Sequence, residues 1–354
     1  MIPKNLKNLL NKKGEISLSE YMEFCLFDNE TGYYQNLNNI SNDFVTSPEI
    51  SQLFGEIIAI FFLFLKEYSN VNSFKDINSI VELGPGNGTL MVDFIRVLEQ
   101  KYNNVGFNIY LFEKSKNLIL QQKRKFKEIN SQLFKFKWIK NLKMNLKKPK
   151  FFLCNEFFDS LPINQYFYEN NNFYEKKIFL NDETLKLSKK RVSNKIIVSK
   201  NCEDGDIVEY SELAIQYLTN IFDDIEVNGS ILLLIDYGPF SKKKIDTIQA
   251  IHSNKKVSIF HKPGMSDITY HVNFEDFIDL SKKYKINFLG PISQSKFLSF
   301  FGINERLDSI LKNTQSLDER KKIEMGFYRL VNQNEMGGLF KFMIFSKEKI
   351  NLPF

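Results

Sequence analysis

The chain has 354 residues, 43% of them hydrophobic and 25% charged, with a formal net charge of +6, which is enough for one large domain or two modest ones around a sizeable core. The excess of lysine is spread along the chain rather than gathered in one patch, so charge argues only weakly for nucleic acid and would equally suit an acidic protein partner. Cys25, Cys154 and Cys202 are odd in number and lack C-x-x-C spacing, which supports neither a disulfide framework nor a zinc site and points to a reducing compartment.

Met1 to Lys13 carries lysine but neither arginine nor an acid; it reads as a mature cytoplasmic start rather than a transit peptide. A short helix is expected over Leu6 to Leu10 and a longer one over Ser17 to Phe27, where Ser17 and Glu20 have capping-box spacing. Asp28 to Gly32 is turn chemistry and Asn36 to Asn42 a polar loop. Thr46 and Glu49 again have capping-box spacing with Pro48 in the first turn, so one helix is expected from there to Tyr68. Its apolar run, Ile57 to Leu65, is too short to cross a bilayer, and no membrane anchor is expected.

Ile80 to Leu90 reads Ile-Val-Glu-Leu-Gly-Pro-Gly-Asn-Gly-Thr-Leu. An apolar strand runs into a glycine cluster and then into Leu90, Met91, Phe94, Ile95 and Leu98 at helical spacing. Gly84, Gly86 and Gly88 would bring the main chain close to a ligand at a helix N-terminus. The order G-x-G-x-G misses the dinucleotide fingerprint, and Thr89-Leu90 after Gly88 misses the P-loop Lys-Ser/Thr. With Glu82 two residues before the first glycine, and with Pro85 inside the turn, the stretch resembles motif I of class I S-adenosylmethionine (SAM) methyltransferases. Phe107 to Phe112 is the next strand and ends at Glu113, 25 residues beyond Gly88, where an acid can accept both ribose hydroxyls.

Strands follow at Leu133 to Ile139 and Phe151 to Asn155, and the strand–helix alternation from residue 80 onward predicts a doubly wound, mostly parallel sheet. Between Tyr166 and Val208 short strands at Phe173 to Phe179, Leu185 to Leu187 and Lys195 to Val198 suggest an inserted antiparallel unit. Helix over Ser211 to Phe222 and a central strand over Ser230 to Asp236 come next. Tyr237 to Met265 reads as a long loop. Helices are expected at Asn273 to Lys283, Gln294 to Leu311 and Ser316 to Leu330, with strands at Lys285 to Leu289 and Leu339 to Ser346, the last as an antiparallel edge strand. The expected division is 1–72 as an N-terminal helical cover, 73–165 as a Rossmann-like core, 166–208 as the insert, and 209–354 as the rest of the core.

Ligands of such sheets sit at the carboxyl ends of the strands. Those ends carry Glu82, Glu113, Asn155 to Asp159 and Asp236-Tyr237. Amino-methyltransferases of DNA and RNA have Asp/Asn-Pro-Pro-aromatic after the fourth strand, whereas Asn155-Glu156-Phe157-Phe158-Asp159 lacks the prolines and offers carboxylates, which suit a guanidinium.

Several stretches together are similar to the MidA-type family of SAM-dependent methyltransferases, whose mitochondrial members are protein arginine methyltransferases assisting assembly of respiratory complex I. They are Ser17 to Met22, Gly32 to Tyr34, Asp43 to Gly55, Glu82 to Leu90, Asn155 to Pro162, Asp236 to Gly238, Asp267 to Phe274 and Phe297 to Ile303, in family order over nearly the whole chain. Asn87 and Gln249 stand where the family has arginine. The resemblance implies a class I, Rossmann-like fold with a seven-stranded sheet and SAM binding by Glu82, Gly84, Pro85, Gly86, Gly88, Glu113 and Asn155. It makes Thr46, Pro48 and Glu49 a cover over the cofactor. The expected activity is methylation of an arginine in a partner protein, with Glu156, Asp159 and Asp236 as guanidinium acceptors and His271 as a proton acceptor. No metal is expected. A homodimer is compatible with the sequence. A nucleic-acid methyltransferase and a SAM-binding assembly chaperone without turnover are the rival readings, and a hydrolase lacks a G-x-S-x-G elbow.

Overall fold

A computed structural model describes residues 2–35, 46–129, 131–144, 146–193, 202–241 and 243–352. The expected loop at Asn36 to Asn42, the start of the Asp43 to Gly55 stretch and the strand at Lys195 to Val198 lie outside the described residues. The chain forms two compact units. One contains Val45–Phe157, Tyr217–Phe240 and Val272–Phe354, and the other contains Met1–Phe44, Phe158–Gln216 and Ser241–His271. The N-terminal cover expected over 1–72 is therefore divided between the two.

The first unit is built on a seven-stranded sheet. In chain order its strands are β1 (Ser79–Leu83), β2 (Phe107–Phe112), β3 (Phe134–Ile139), β4 (Phe151–Asn155), β5 (Ile231–Tyr237), β6 (Asn287–Ser293) and β7 (Phe340–Ser346). Across the sheet they run β6-β7-β5-β4-β1-β2-β3. The five from β3 to β5 pair in parallel, and β7 is antiparallel to both its neighbours. Every residue of β1 and β5 is buried, as expected for parallel strands covered on both faces. The glycine turn leads from β1 into helix α1 (Thr89–Lys101), and β2 leads into α2 (Lys116–Phe126). The long helix Gln52–Tyr68 buries Phe54, Ile57, Ile58, Phe61, Phe62 and Leu65 in the same core. At about 1.5–3 kcal/mol for each large apolar side chain buried, that face is a large contribution to the core.

Four expectations of this unit are corrected. β7 is antiparallel but interior, lying between β5 and β6. Its alternation misled because Lys341 is buried, with Nζ donating to the carbonyls of Gly338 and Leu339 and lying over the Phe240 ring. The helix expected from Thr46 to Tyr68 is two, Ser47–Ile50 and Gln52–Tyr68, because Ser51 is extended (φ −160°) and caps the second through its hydroxyl. No capping box forms at Thr46, whose side chain makes no cap bond. The helix expected over Gln294 to Leu311 breaks at Gly302, whose φ of 89° ends Gln294–Phe300 and starts Ile303–Asn313.

The second unit holds a five-stranded antiparallel sheet and a three-stranded one. Strand Asn172–Asn181 pairs with Asn164–Glu169, Thr184–Val192 and the N-terminal Glu15–Ser17, and Asn164–Glu169 also pairs with Ile207–Tyr210. Helices Lys4–Lys13 and Leu18–Phe27 belong to this unit, the second with the Ser17–Glu20 capping box intact. The long loop expected from Tyr237 to Met265 is replaced by strands Gln249–His252 and Lys255–Val257, joined by Asp267–Thr269. The signal was lost because these strands are only three or four residues long.

Candidate active site

The glycine turn has the geometry its sequence implied. Gly84, Gly86 and Gly88 have φ of 64°, 51° and 76°, conformations open mainly to glycine. The turn is pinned by Gly84 N–H donating to the Phe112 carbonyl at 3.0 Å and Gly88 N–H to that of Pro85 at 2.7 Å. A Cβ on Gly84 would meet Phe157 at 2.7 Å, whereas one on Gly86 would meet nothing within 4 Å. Gly84 is small because protein packs against it; Gly86 faces open space in which a ligand can lie against the main chain.

Two acids stand beside the turn. Glu82, in β1, is buried, and its Oε2 has no hydrogen-bond partner. Glu113 follows β2 and accepts from the Ser115 N–H at 2.8 Å. Burial, then the charge of Glu113, pushes Glu82 up to about 8. Burial likewise pushes Glu113 up to about 7, against hydrogen bonds from Ser115, Gln122 and Lys114 that lower it. An orphaned buried carboxylate oxygen is costly unless a cation or donor arrives to meet it. Asn155, last in β4, likewise holds its Oδ1 buried without a partner while its Nδ2 donates to Glu156 at 3.2 Å. An open glycine, an unmet carboxylate oxygen, a second acid and an unmet amide oxygen fit a molecule that brings an ammonium, a sulfonium and hydroxyl donors.

The segment expected to cover the site touches this turn. Glu49 Oε1 accepts from Thr89 Oγ1 at 2.6 Å, and Lys125 Nζ donates to the same hydroxyl at 2.7 Å. Glu49 N–H bonds to the Thr46 carbonyl around Pro48. Glu49 thus ties to the first residue of α1 instead of capping its own helix.

At the ends of β4 and β5, Asn155 pairs with Ile235, and the next residues are Glu156 and Asp236. Glu156 has φ of 50°, unusual for a side chain of its size. It is held there by its own N–H donating to the Ile235 carbonyl at 2.9 Å, and by Ser47 N–H and Asn155 Nδ2 donating to Oε1, both at 3.2 Å. Backbone strain of this kind persists where several contacts over-determine it, and it concentrates at functional sites. Asp236 is fully buried, and its Oδ1 accepts from Tyr237 N–H at 2.9 Å.

Asp159 and His271 belong to the other unit. There, burial and the charges of Asp267 and Asp159 push the Tyr34 hydroxyl well up, and Tyr34 donates to Asp267 at 3.3 Å. The Asp159 carbonyl accepts from Tyr270 N–H, and His271 N–H donates to Thr247 Oγ1. Gln249 pairs with Thr269 in the small sheet.

Sequence reading missed Gln122. This fully buried side chain of α2 donates to the Gly86 carbonyl at 2.8 Å and to Glu113 Oε2 at 3.4 Å, and accepts from Trp138 Nε1 at 2.8 Å. On the helix it reads as one polar residue among several, and only the fold reveals its partners. Among the described residues there is no group of His, Cys, Asp or Glu that could hold a metal, and no helix long and apolar enough to cross a membrane.

A strand order of 3-2-1-4-5-7-6, with the glycine turn and acids at the carboxyl ends, defines a class I methyltransferase fold. The chain belongs to the S-adenosyl-L-methionine-dependent methyltransferase family, whose model matches residues 58–292, and SAM is its cofactor. It is similar to the mitochondrial protein arginine methyltransferase NDUFAF7 of Xenopus laevis, at 30% identity over 94% of this chain and 81% of that protein. Against NDUFAF7 of Bos taurus the identity is 28%, over 96% and 82%. A COG1565 superfamily protein from Burkholderia thailandensis, crystallised with S-adenosyl-homocysteine (SAH), shares the fold with a TM-score of 0.81 over 97% of this chain and 90% of that one, at 21% identity.

These relatives overturn the cytoplasmic expectation, since both NDUFAF7 proteins are named as mitochondrial. That expectation rested on the composition of Met1 to Lys13. Residues Lys4–Lys13 are a helix with Leu6 and Leu10 buried, so their composition reports packing.

Proposed function

We propose that this methyltransferase acts on a guanidino nitrogen of an arginine in a partner protein, with a respiratory complex I subunit as the first candidate. The observation that carries the reading is the pair of acids, Glu156 and Asp236, at adjacent strand ends where an amine-binding site would have neutral groups. A guanidinium stays charged and presents a planar fork of donors, which carboxylates match and an Asn-Pro-Pro-aromatic loop does not. The names of the relatives support the same substrate.

When bound, SAM supplies a methyl group already activated by its sulfonium. The work left to the protein is alignment, and holding two reactants in line can contribute about 7–11 kcal/mol. Gly86 leaves room for the cofactor against the main chain, Glu82 offers its unmet oxygen to the cationic methionine end, and Glu113 takes the ribose hydroxyls. Glu49, tied to Thr89, closes over the turn. Glu156, fixed by Ser47 and Asn155, holds the guanidinium with Asp236 as second acceptor. No strong base is needed for the proton lost after transfer.

Mass spectrometry of arginine methylation in cells lacking the protein, complemented with wild type or with Glu156→Gln, tests this. One or more methylarginines should vanish in the knockout, return with wild type and stay absent with Glu156→Gln. Restoration by Glu156→Gln, or no arginine site lost, would contradict it.

A further inference from the structure

We infer that Gln122 is a positioning residue for the cofactor: its side-chain amide ties the Gly86 carbonyl to the Glu113 carboxylate, so that glycine turn and ribose-side acid receive the cofactor as one unit. The inference rests on the reading of Gly86 and Glu113 as cofactor residues.

The orientation of the Gln122 amide follows from its partner. An indole N–H can only donate, so Trp138 Nε1, at 2.8 Å, must face the carbonyl oxygen of Gln122. Nε2 is then the end that points toward Gly86 and Glu113, and it has two protons to give. One goes to the Gly86 carbonyl at 2.8 Å and the other toward Glu113 Oε2 at 3.4 Å. Gln122 is 0% exposed, so its own amide has no water to turn to. Losing it takes a donor from the Gly86 carbonyl and from the Glu113 carboxylate.

The three anchors come from different elements: the turn after β1, the end of β2, and β3. Ser115 caps α2 through its hydroxyl while its N–H holds Glu113 Oε1, so the helix that carries Gln122 is itself keyed to the same acid. Glu113 is faced from β1 by Glu82 and from its own loop by the Lys114 N–H. The lysines of α2 nearest to Gln122 are engaged elsewhere, Lys123 over the Trp138 ring at 5.1 Å and Lys125 on Thr89. Gln122 is therefore the uncharged donor that α2 supplies to this carboxylate.

Titration calorimetry with SAH across the pH range around 7 tests the inference on Gln122→Met, Trp138→Phe and Glu113→Gln. In the wild type, affinity should rise with pH as Glu113 ionises to accept the ribose hydroxyls and Glu82, whose titration lies higher, ionises to meet the methionine end. Gln122→Met should weaken binding about tenfold and move the rise to higher pH, because Glu113 loses a donor to its ionised form. Trp138→Phe, which frees the amide to rotate, should move both in the same direction by less, and it serves if Gln122→Met does not fold. A uniform loss of affinity at every pH, or no change in either variant, would overturn the inference. If Glu113→Gln abolishes the pH dependence while Gln122→Met leaves it alone, only the role of Gln122 falls. If Glu113→Gln changes neither affinity nor its pH dependence, the cofactor reading of Glu113 falls with it.

Discussion

The two units use sequence in opposite ways. In the unit built on the seven-stranded sheet, the functional groups stand at the ends of strands: Glu82 in β1 and the glycines after it, Glu113 after β2, and Asn155 and Glu156 at the end of β4. In the other unit the sheet is assembled from remote pieces, with Glu15–Ser17 pairing to Phe179, Ile178 and Lys177, and some polar partners are as remote in sequence, as Tyr34 and Asp267. Some of its ion pairs, such as Lys190 with Glu15 at 3.1 Å, are exposed, whereas Glu56 of the sheet unit is 1% exposed and held in two bonds by Arg306. The glycine turn is written in contiguous residues, and charges that matter to stability are buried.

That contrast can be broken at four points. Arg306→Met should have the largest effect, about 3 kcal/mol of stability by denaturant unfolding, because it strands a buried carboxylate; Arg96, at 3.5 Å from Glu56, keeps the loss near the low end of the range. A loss below about 1 kcal/mol would mean that burial does not decide. Gly86→Val should weaken SAH binding about a hundredfold, some 2.7 kcal/mol, by filling the open space and straining a φ of 51°. Unchanged affinity in a folded variant would remove the turn from the site.

The third point is pH. Glu82 and Glu113 ionise near 4.5 when unfolded but near 8 and 7 when folded, so between these values the folded protein binds more protons than the unfolded one. Stability of the ligand-free protein should therefore fall as pH rises from about 4.5 to about 8, and saturating SAH should flatten the fall by favouring the ionised acids. Thermal melts with and without SAH check the sign; a rise in the ligand-free protein would contradict it. Smallest of all, Lys190→Ala in the other unit should change stability by less than about 1 kcal/mol and leave SAH affinity untouched. Coupling of this exposed pair to SAH binding would blur the distinction between the units.

The same contrast explains what the sequence made legible. Motif I could be read because a strand, three glycines and a helix are contiguous, and Glu113 because a βαβ unit fixes its spacing. Gln122 could not, since its three partners lie on separate elements. β7 was expected at an edge because alternation assumes that a lysine reaches water, and here neighbouring carbonyls accept Lys341 instead. Ser51 and Gly302 each broke an expected helix through one residue's dihedral angles, which periodicity averages away. Strands of three or four residues carry too few alternations to register at all.

A crystal structure with SAH bound tests the central claim most directly. The nucleoside should lie against the main chain of Gly86, with its ribose hydroxyls on Glu113 and its methionine end toward Glu82. Density that leaves Gly86 and both acids untouched would contradict the account.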